Sequence, residues 1–398
     1  MAGFFFVLLS AFVFSANLQA SENPLIRVRM ESSAELLQLE GAGLQVQARE
    51  NDPRYEFVAI PQNKKIQIER VQLGGQPVWK ITRGSQIEIR TEPIVTIQGH
   101  DIRSKGKLLP NHLFLSSKKN RFDLIAVLPL EDYLIGVIAS EMPLSWPMET
   151  LKAQAIAARS YALATIKERA KQPFHVESTI LDQVFSHIGS GPDESPLIQH
   201  AKAAVRATEG QILLNTKSQA LKAFYHSDCG GKTSDAKQVW GSGNPTGSVK
   251  DPSCPSRPQA HWKLELSEEA LGQRLQKYLK NSNLGNLQAL QLIRPSAEDR
   301  VEKMRLSFED GEELVIPAQD FRAAIGFDQL KSTFFQVKKI DEKYQFIGQG
   351  FGHGVGLCQW GARHLGKSGQ SYSEILNHYY PKAVLSLRSS PEREIQTR

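Results

Sequence analysis

A chain of 398 residues that is 40% hydrophobic and 23% charged is too apolar for a disordered tail and long enough for two or three cores. Its net charge of +6 is spread along the sequence, with no basic cluster denser than "SSKKNR" or "KERAKQ". That distribution argues against a nucleic-acid-binding surface and leaves only a weak attraction to anionic wall or membrane surfaces.

The first 21 residues carry no Lys, Arg, Asp or Glu and centre on the apolar run Phe4 to Phe14. Residues 1–20 read as a secretory signal, with an uncleaved membrane anchor as the other reading, although the run is short for a bilayer span. The expectation is an exported protein, on the periplasmic or cell-wall side of the membrane and possibly tethered at its start.

From residue 21 to about 125 come short runs of strand type, "LIRVRM", "LQVQA", "YEFVAI", "KIQIER", "PVWKITR" and "QIEIRT", broken by Gly, Pro, Asn and Asp. This region reads as all-β. At Pro129 the apolar period becomes helical, predicting helices over 129–141 and 147–170 separated by "MPLSW". Mixed strands and loops follow, with a helix near "SEEALGQRLQKYLK", a Gly-rich loop "GQGFGHGVG", a helix near "GLCQWGARHLG" and another in "SYSEILNHYY". The fold class is α+β: a helical segment packed with mixed β structure over 126–387, preceded by the all-β region, with a polar tail over 388–398. There is no internal repeat and no low-complexity tract.

Within the first helix, Leu130, Leu134 and Val137 recur at spacings of four and three, and four further residues reach Glu141. At about 100° per residue Glu141 continues the core face, so its carboxyl is expected to be partly buried. Pro143 disfavours α conformation at Met142 and ends the helix at Glu141. A carboxyl at the negative end of the helix dipole, against apolar neighbours, has a raised pKa and suits general acid catalysis. The alternative is a frayed end with Glu141 in water. In the second helix, Leu151, Ala155, Ala158 and Ala162 form a stripe that admits another backbone closely, and Arg159 lies off it, free to meet a carboxylate, a substrate or water.

Three cysteines allow one bridge. Cys229 and Cys254, both in turn-rich sequence, are the expected disulfide, leaving Cys358 as a free thiol. Zinc on His226, Cys229, Cys254 and His261 is the competing reading. No HExxH or GxSxG occurs, and the glycines of "GQGFGHGVG" fit no dinucleotide fingerprint, so no dinucleotide or other cofactor is expected.

The segment "LPLEDYLIGVIASEMPLSWPMETLKAQAIAARSYAL" (128–163) resembles the signature of the sporulation stage II protein D family, which also includes the amidase enhancer proteins. "FYHSDCGGKTSDAKQVWG" (224–241), "FRAAIGFDQLKSTFF" (321–335) and "GQGFGHGVGLCQWGA" (348–362) resemble that family in the same order. The similarity spans about 125 to 382. It implies a lytic transglycosylase acting on peptidoglycan glycan strands, preferentially those stripped of stem peptides, with the family's catalytic glutamate at Glu141. Such an acid protonates the oxygen between N-acetylmuramic acid and N-acetylglucosamine. The muramyl C6 hydroxyl then closes onto C1 as a 1,6-anhydro sugar.

Arg159, Tyr225, His226, Gly352, His353, Gly354 and Gln359 are the expected substrate-binding residues, with loop bracing as the competing role for each histidine. Trp240 and Trp360 are candidates for sugar stacking or for core. The cysteine and histidine ligands that some family members carry before the segment "QVF" have no counterpart here, where Leu181 and Asp182 stand; no metal is expected at that place. Two rival functions remain. A hydrolytic muramidase would need a second carboxylate from among Glu131, Asp132, Asp182 and Asp228. A non-catalytic wall-binding protein would stimulate a cell-wall amidase as its partner.

Overall fold

The computed structural model describes residues 23–47, 65–189, 195–241, 246–252, 254, 260–281 and 284–388. The expected signal segment, the strand "YEFVAI" and the tail beyond Arg388 lie outside the described residues. The chain opens with β1 (Leu25–Ala34), β2 (Leu36–Gln47), β3 (Ile66–Leu73), β4 (Gln76–Arg83), β5 (Gln86–Arg90), β6 (Ile94–Ser104), β7 (Lys107–Leu108), β8 (His112–Lys118) and β9 (Arg121–Pro129). Then come α1 (Leu130–Glu141), α2 (Met148–Glu168), β10 (Val176–Glu177), α3 (Pro196–Ala207), β11 (Gln211–Leu214), β12 (Tyr225–His226) and α4 (Ala236–Trp240). A third stretch holds β13 (His261–Ser267), α5 (Glu268–Leu279), β14 (Leu287–Ile293), β15 (Lys303–Phe308), β16 (Glu313–Pro317), α6 (Ala318–Ile325), β17 (Phe335–Ile340) and β18 (Lys343–Gln349). The chain closes with β19 (Leu357–Cys358), α7 (Gln359–Lys367), α8 (Tyr372–Tyr379) and β20 (Val384–Leu387).

The fold is α+β, with the expected all-β region at its start. One large sheet runs β10-β1-β9-β8-β6-β2-β3-β4-β5, with β7 beside β6. Its strand pairs are antiparallel except β1 with β10, where Val28 faces Val176. β9 runs straight into α1, so the sheet aims the first helix directly.

α1 has no side-chain cap at Pro129, and burial holds it instead. Leu130, Tyr133, Leu134, Val137 and Ile138 are all buried. An aliphatic side chain buried in this way contributes roughly 1.5–3 kcal/mol, more than the ~1 kcal/mol typical of a cap. The small-residue stripe of α2 is buried throughout at Leu151, Ala155, Ala158 and Ala162, and α2 packs against α1, α3, α7, α8 and β11.

The division near residue 125 is not a division of the core. A single apolar cluster runs from Ile26 and Val28 in the sheet through Leu134 and Val137 of α1 to Tyr379 of α8. A second cluster, with Trp262, Leu271, Met304, Phe321 and Phe346, belongs to β13–β18 with α5 and α6. That stretch folds around its own core between the two halves of the helical region. Among the described residues no helix is long and apolar enough to cross a membrane.

Candidate functional site

Glu141 is the last residue of α1, and the extended backbone of Met142 stops the helix there, as Pro143 requires. Its side chain is partly buried. Oε1 accepts a 2.8 Å hydrogen bond from the Val184 amide. Gln359, at the start of α7, donates from Nε2 to Oε2 at 3.4 Å, and the Tyr225 hydroxyl is a third hydrogen-bonding partner. Burial pushes the Glu141 carboxyl above its usual range, and the three hydrogen bonds, which favour the carboxylate, pull the other way. The result is a carboxyl raised in pKa but supplied with donors for its charged form. It can lose a proton and take one back.

The segment carrying Val184 lies against α1 because residue 136 is a glycine. A Cβ there would meet the Ser186 carbonyl and come within 2.5 Å of the Phe185 ring. Phe185 in turn packs on Tyr133 with ring centroids 5.0 Å apart. Behind Tyr225 the support is polar and buried: Tyr133 donates its hydroxyl to Gln183 Oε1 at 3.0 Å, and Gln183 Nε2 donates to the Tyr225 hydroxyl at 3.0 Å. β12 and β19 pair in parallel with Tyr225 facing Leu357 and His226 facing Cys358, which brings Tyr225 and Gln359 to Glu141 from segments far apart in sequence.

Of the other expected binding residues, Arg159 is turned inward. It is 1% exposed and holds Glu131 through two hydrogen bonds of 2.8 and 2.7 Å, with further bonds to the Gln211 and Val205 carbonyls. The guanidinium is thus taken up by partners within the protein. His226 is buried, and its Nδ1 donates to the Val355 carbonyl at 3.1 Å, while the Val355 amide donates to His353 Nδ1 at 3.0 Å. Both imidazoles brace the Gly-rich loop through the two backbone groups of one residue, Val355, and burial keeps them neutral by pulling His226 down to about 3 and His353 well below the ordinary range.

Gly352 and Gly354, expected to open space for a ligand, open it for the protein. At φ 111° and 82° their missing Cβ atoms make room for His226 and for the Arg300 guanidinium. Trp360 packs edge-on to Trp146 at 4.9 Å under Arg363, whereas Trp240 is 39% exposed and stacks on Phe224 and His353.

The candidate second carboxylates are engaged or remote. Glu131 and Asp132 sit nine or ten residues up α1, on the order of 14 Å from Glu141 at 1.5 Å per residue, beyond the ~5–9.5 Å that separates paired glycosidase carboxyls. Asp182 accepts from Arg169, the Tyr161 hydroxyl and the Glu177 amide. Asp228 is 1% exposed and accepts from the Gly230 amide and the Cys254 thiol. Two concavities occur elsewhere, one around Lys232, Ser234, Asp299 and Arg300 and one around Arg169, Phe174 and Asp182, and Glu141 lines neither.

The expected disulfide is also corrected. Cys229, Cys254 and Cys358 are free thiols, all buried, with Cys358 drawn beside the other two by the β12–β19 pairing that sequence spacing does not reveal. Cys358 Sγ lies 3.7 Å from Cys254 Sγ, and Asp251 joins the group. Hydrogen bonds from Cys229 and Cys358 favour the thiolate at Cys254, while burial pushes Cys358 up. The histidines of the competing zinc set do not take part: His226 is committed to Val355, and His261 is exposed at the start of β13. Near "QVF", Leu181 is 67% exposed and Asp182 is held by Arg169.

Sequence reasoning missed Gly136, Gln183, Val184, Asp251 and Arg300. A glycine inside a strongly apolar helix was the one available signal, for Gly136.

Residues 118–214 match the family model described as Stage II sporulation protein, and residues 251–356 match a domain of unknown function that covers the second core. An uncharacterized protein of Brachyspira hyodysenteriae is 32% identical over 255 residues, 64% of this chain and 65% of its own length. Stage II sporulation protein D of Bacillus amyloliquefaciens is 30% identical over 270 residues, 65% of this chain and 74% of that protein. The amidase enhancer of Bacillus subtilis is 28% identical over 298 residues, 64% of this chain but only 40% of the enhancer.

Proposed function

The chain belongs to the stage II sporulation protein D family, and from that premise we propose that it is a peptidoglycan lytic transglycosylase acting outside the cytoplasmic membrane. The observation that carries this reading is Glu141: a partly buried carboxyl, raised in pKa, with the Val184 amide, Gln359 and Tyr225 ready to stabilise its charge.

In the proposed reaction Glu141 gives its proton to the oxygen between N-acetylmuramic acid and N-acetylglucosamine as the C1–O bond breaks. The resulting carboxylate is held by its three donors while positive charge develops at the muramyl C1. It then takes the proton of the C6 hydroxyl as that oxygen bonds to C1, which returns Glu141 to the acid form and leaves a 1,6-anhydro end. No water enters and no second carboxylate is needed. This agrees with the engagement or distance of Glu131, Asp132, Asp182 and Asp228, and it disfavours a hydrolytic muramidase. Glycan strands stripped of stem peptides are the proposed preferred substrate.

A second reading comes from the similarity to the amidase enhancer: the chain binds wall glycan and stimulates a partner amidase without cleaving. Analysis of glycan ends after incubation with wild type and Glu141→Gln separates the two, because the enhancer reading leaves the substitution without effect.

A further inference from the structure

Three buried thiols and a buried carboxylate meet behind the Glu141 site. The sulfur atoms of Cys229, Cys254 and Cys358 and a carboxylate oxygen of Asp251 all lie within 4.8 Å of one another. Their separations suit a shared ion. A tetrahedral centre with ~2.3 Å metal–sulfur bonds has sulfurs about 3.8 Å apart, and the Cys254–Cys358 separation is 3.7 Å, with Cys229 Sγ 3.3 Å from Asp251 Oδ2.

Backbone donors point at two of the three sulfurs, and the third, Cys254 Sγ, lies 3.3 Å from Asp228 Oδ1, a contact it makes as a thiol and gives up when metal binding takes its proton. Backbone amides of Cys229 and Gly361 donate to Cys358 Sγ at 3.3 and 3.4 Å, and the Gly231 amide donates to Cys229 Sγ at 3.3 Å. Asp251 is oriented by the Tyr379 hydroxyl at 2.7 Å and by the Cys254 amide at 2.9 Å, the kind of outer contact that aims a metal-binding carboxylate. Arg300, arriving from the second core, is buried with Nη2 bonded to the Cys229 carbonyl at 2.6 Å, which places a fixed positive charge beside this excess of anionic groups.

We infer that Cys229, Cys254, Cys358 and Asp251 form a structural zinc site. Four protein ligands, all buried, leave no open position for a substrate or water, which marks the site as structural rather than catalytic. Soft thiolates select Zn²⁺ over Mg²⁺ or Ca²⁺. On binding, the thiol protons leave to solvent and the sulfurs bond the ion, with no change of oxidation state. The site joins the turn after β12, Asp251, Cys254, the start of α7 and, through Tyr379, α8. Because Cys358 directly precedes Gln359, the ion also fixes the backbone from which Gln359 reaches Glu141. The site does not depend on the proposed reaction.

The test uses the full chain purified without reductant or chelator. Elemental analysis is expected to find about one zinc per chain, and alkylation after denaturation is expected to label all three cysteines. Exchange for Co²⁺ is expected to give the intense near-ultraviolet absorption of thiolate-bound cobalt, and Cys254→Ser to lower retained zinc at least tenfold. If Cys254→Ser does not fold, the wild-type metal content and thiol count decide alone. A chain two hydrogens lighter with one alkylatable cysteine and no stoichiometric metal would overturn the inference in favour of a disulfide. Three free thiols that take up neither zinc nor cobalt would overturn it equally.

Discussion

The Val184 amide and the Glu141 carboxyl, 43 residues apart in sequence, meet in a 2.8 Å hydrogen bond. With Gln359 and Tyr225 it supplies the donors that steady the carboxylate once Glu141 has given up its proton. Burial and these donors act in opposite directions on one pKa, so each donor tunes the pH range in which the acid keeps its proton.

The sign of that tuning is testable. A general acid works while protonated, so cleavage is expected to fall as pH rises through the raised pKa of Glu141. Tyr225 and Gln359 favour the ionised form, and removing either raises the pKa further. Tyr225→Phe and Gln359→Leu are each expected to move the alkaline limb of the kcat profile upward by about half to one pH unit, the equivalent of one hydrogen bond of ~1 kcal/mol. A downward shift would mean that these groups stabilise the protonated form.

Gly136 sets the distance between α1 and the segment carrying Val184. Gly136→Ala drives a methyl into Phe185 and the Ser186 carbonyl. The expected cost is about 1–3 kcal/mol of stability from overpacking, measured by urea unfolding. The kcat of the folded fraction is expected to fall more than its KM changes, because the amide at Glu141 moves.

The helix of Glu141 was legible in the sequence because the features that set it are local: an apolar period, two prolines and first-turn acids. The strand character of the N-terminal region was legible for the same reason. What remained hidden depends on contacts between distant segments. Arg159 could be placed off the small-residue stripe of α2, but not in the bond to Glu131 that occupies it. The cysteines could be counted, but their meeting follows from the two-residue pairing of β12 with β19, too short to leave a periodic signature. The glycines of the loop at 350–356 announced close approach without saying that His226 and Arg300 were what approached.

Arg159 provides the sharpest contrast between a binding and a structural role. Arg159→Met leaves Glu131 in place without its partner, and the loss of a buried pair's cation is expected to destabilise the fold by about 3–5 kcal/mol. Affinity of the folded protein for glycan strands is expected to stay unchanged. Calorimetric unfolding together with a glycan sedimentation assay measures both.

His175 governs part of the acid stability. Burial first, then the charges of Arg27 and Arg169, pull its pKa down to about 4 from an ordinary 6.5. The unfolded chain therefore takes up this proton at higher pH than the native one. The associated stability is fully present above pH 6.5 and is lost as pH falls toward 4. In urea unfolding at pH 7 and pH 5, His175→Gln is expected to lose less stability between the two than wild type.

The most direct test of the central claim is mass spectrometry of glycan ends after incubation of peptide-free strands with wild type and with Glu141→Gln, each shown to be folded by circular dichroism. New 1,6-anhydro-muramyl ends with wild type, reduced at least about a thousandfold in the variant, are the predicted result. Reducing ends, anhydro ends that persist without the acid, or no new ends from wild type would contradict it.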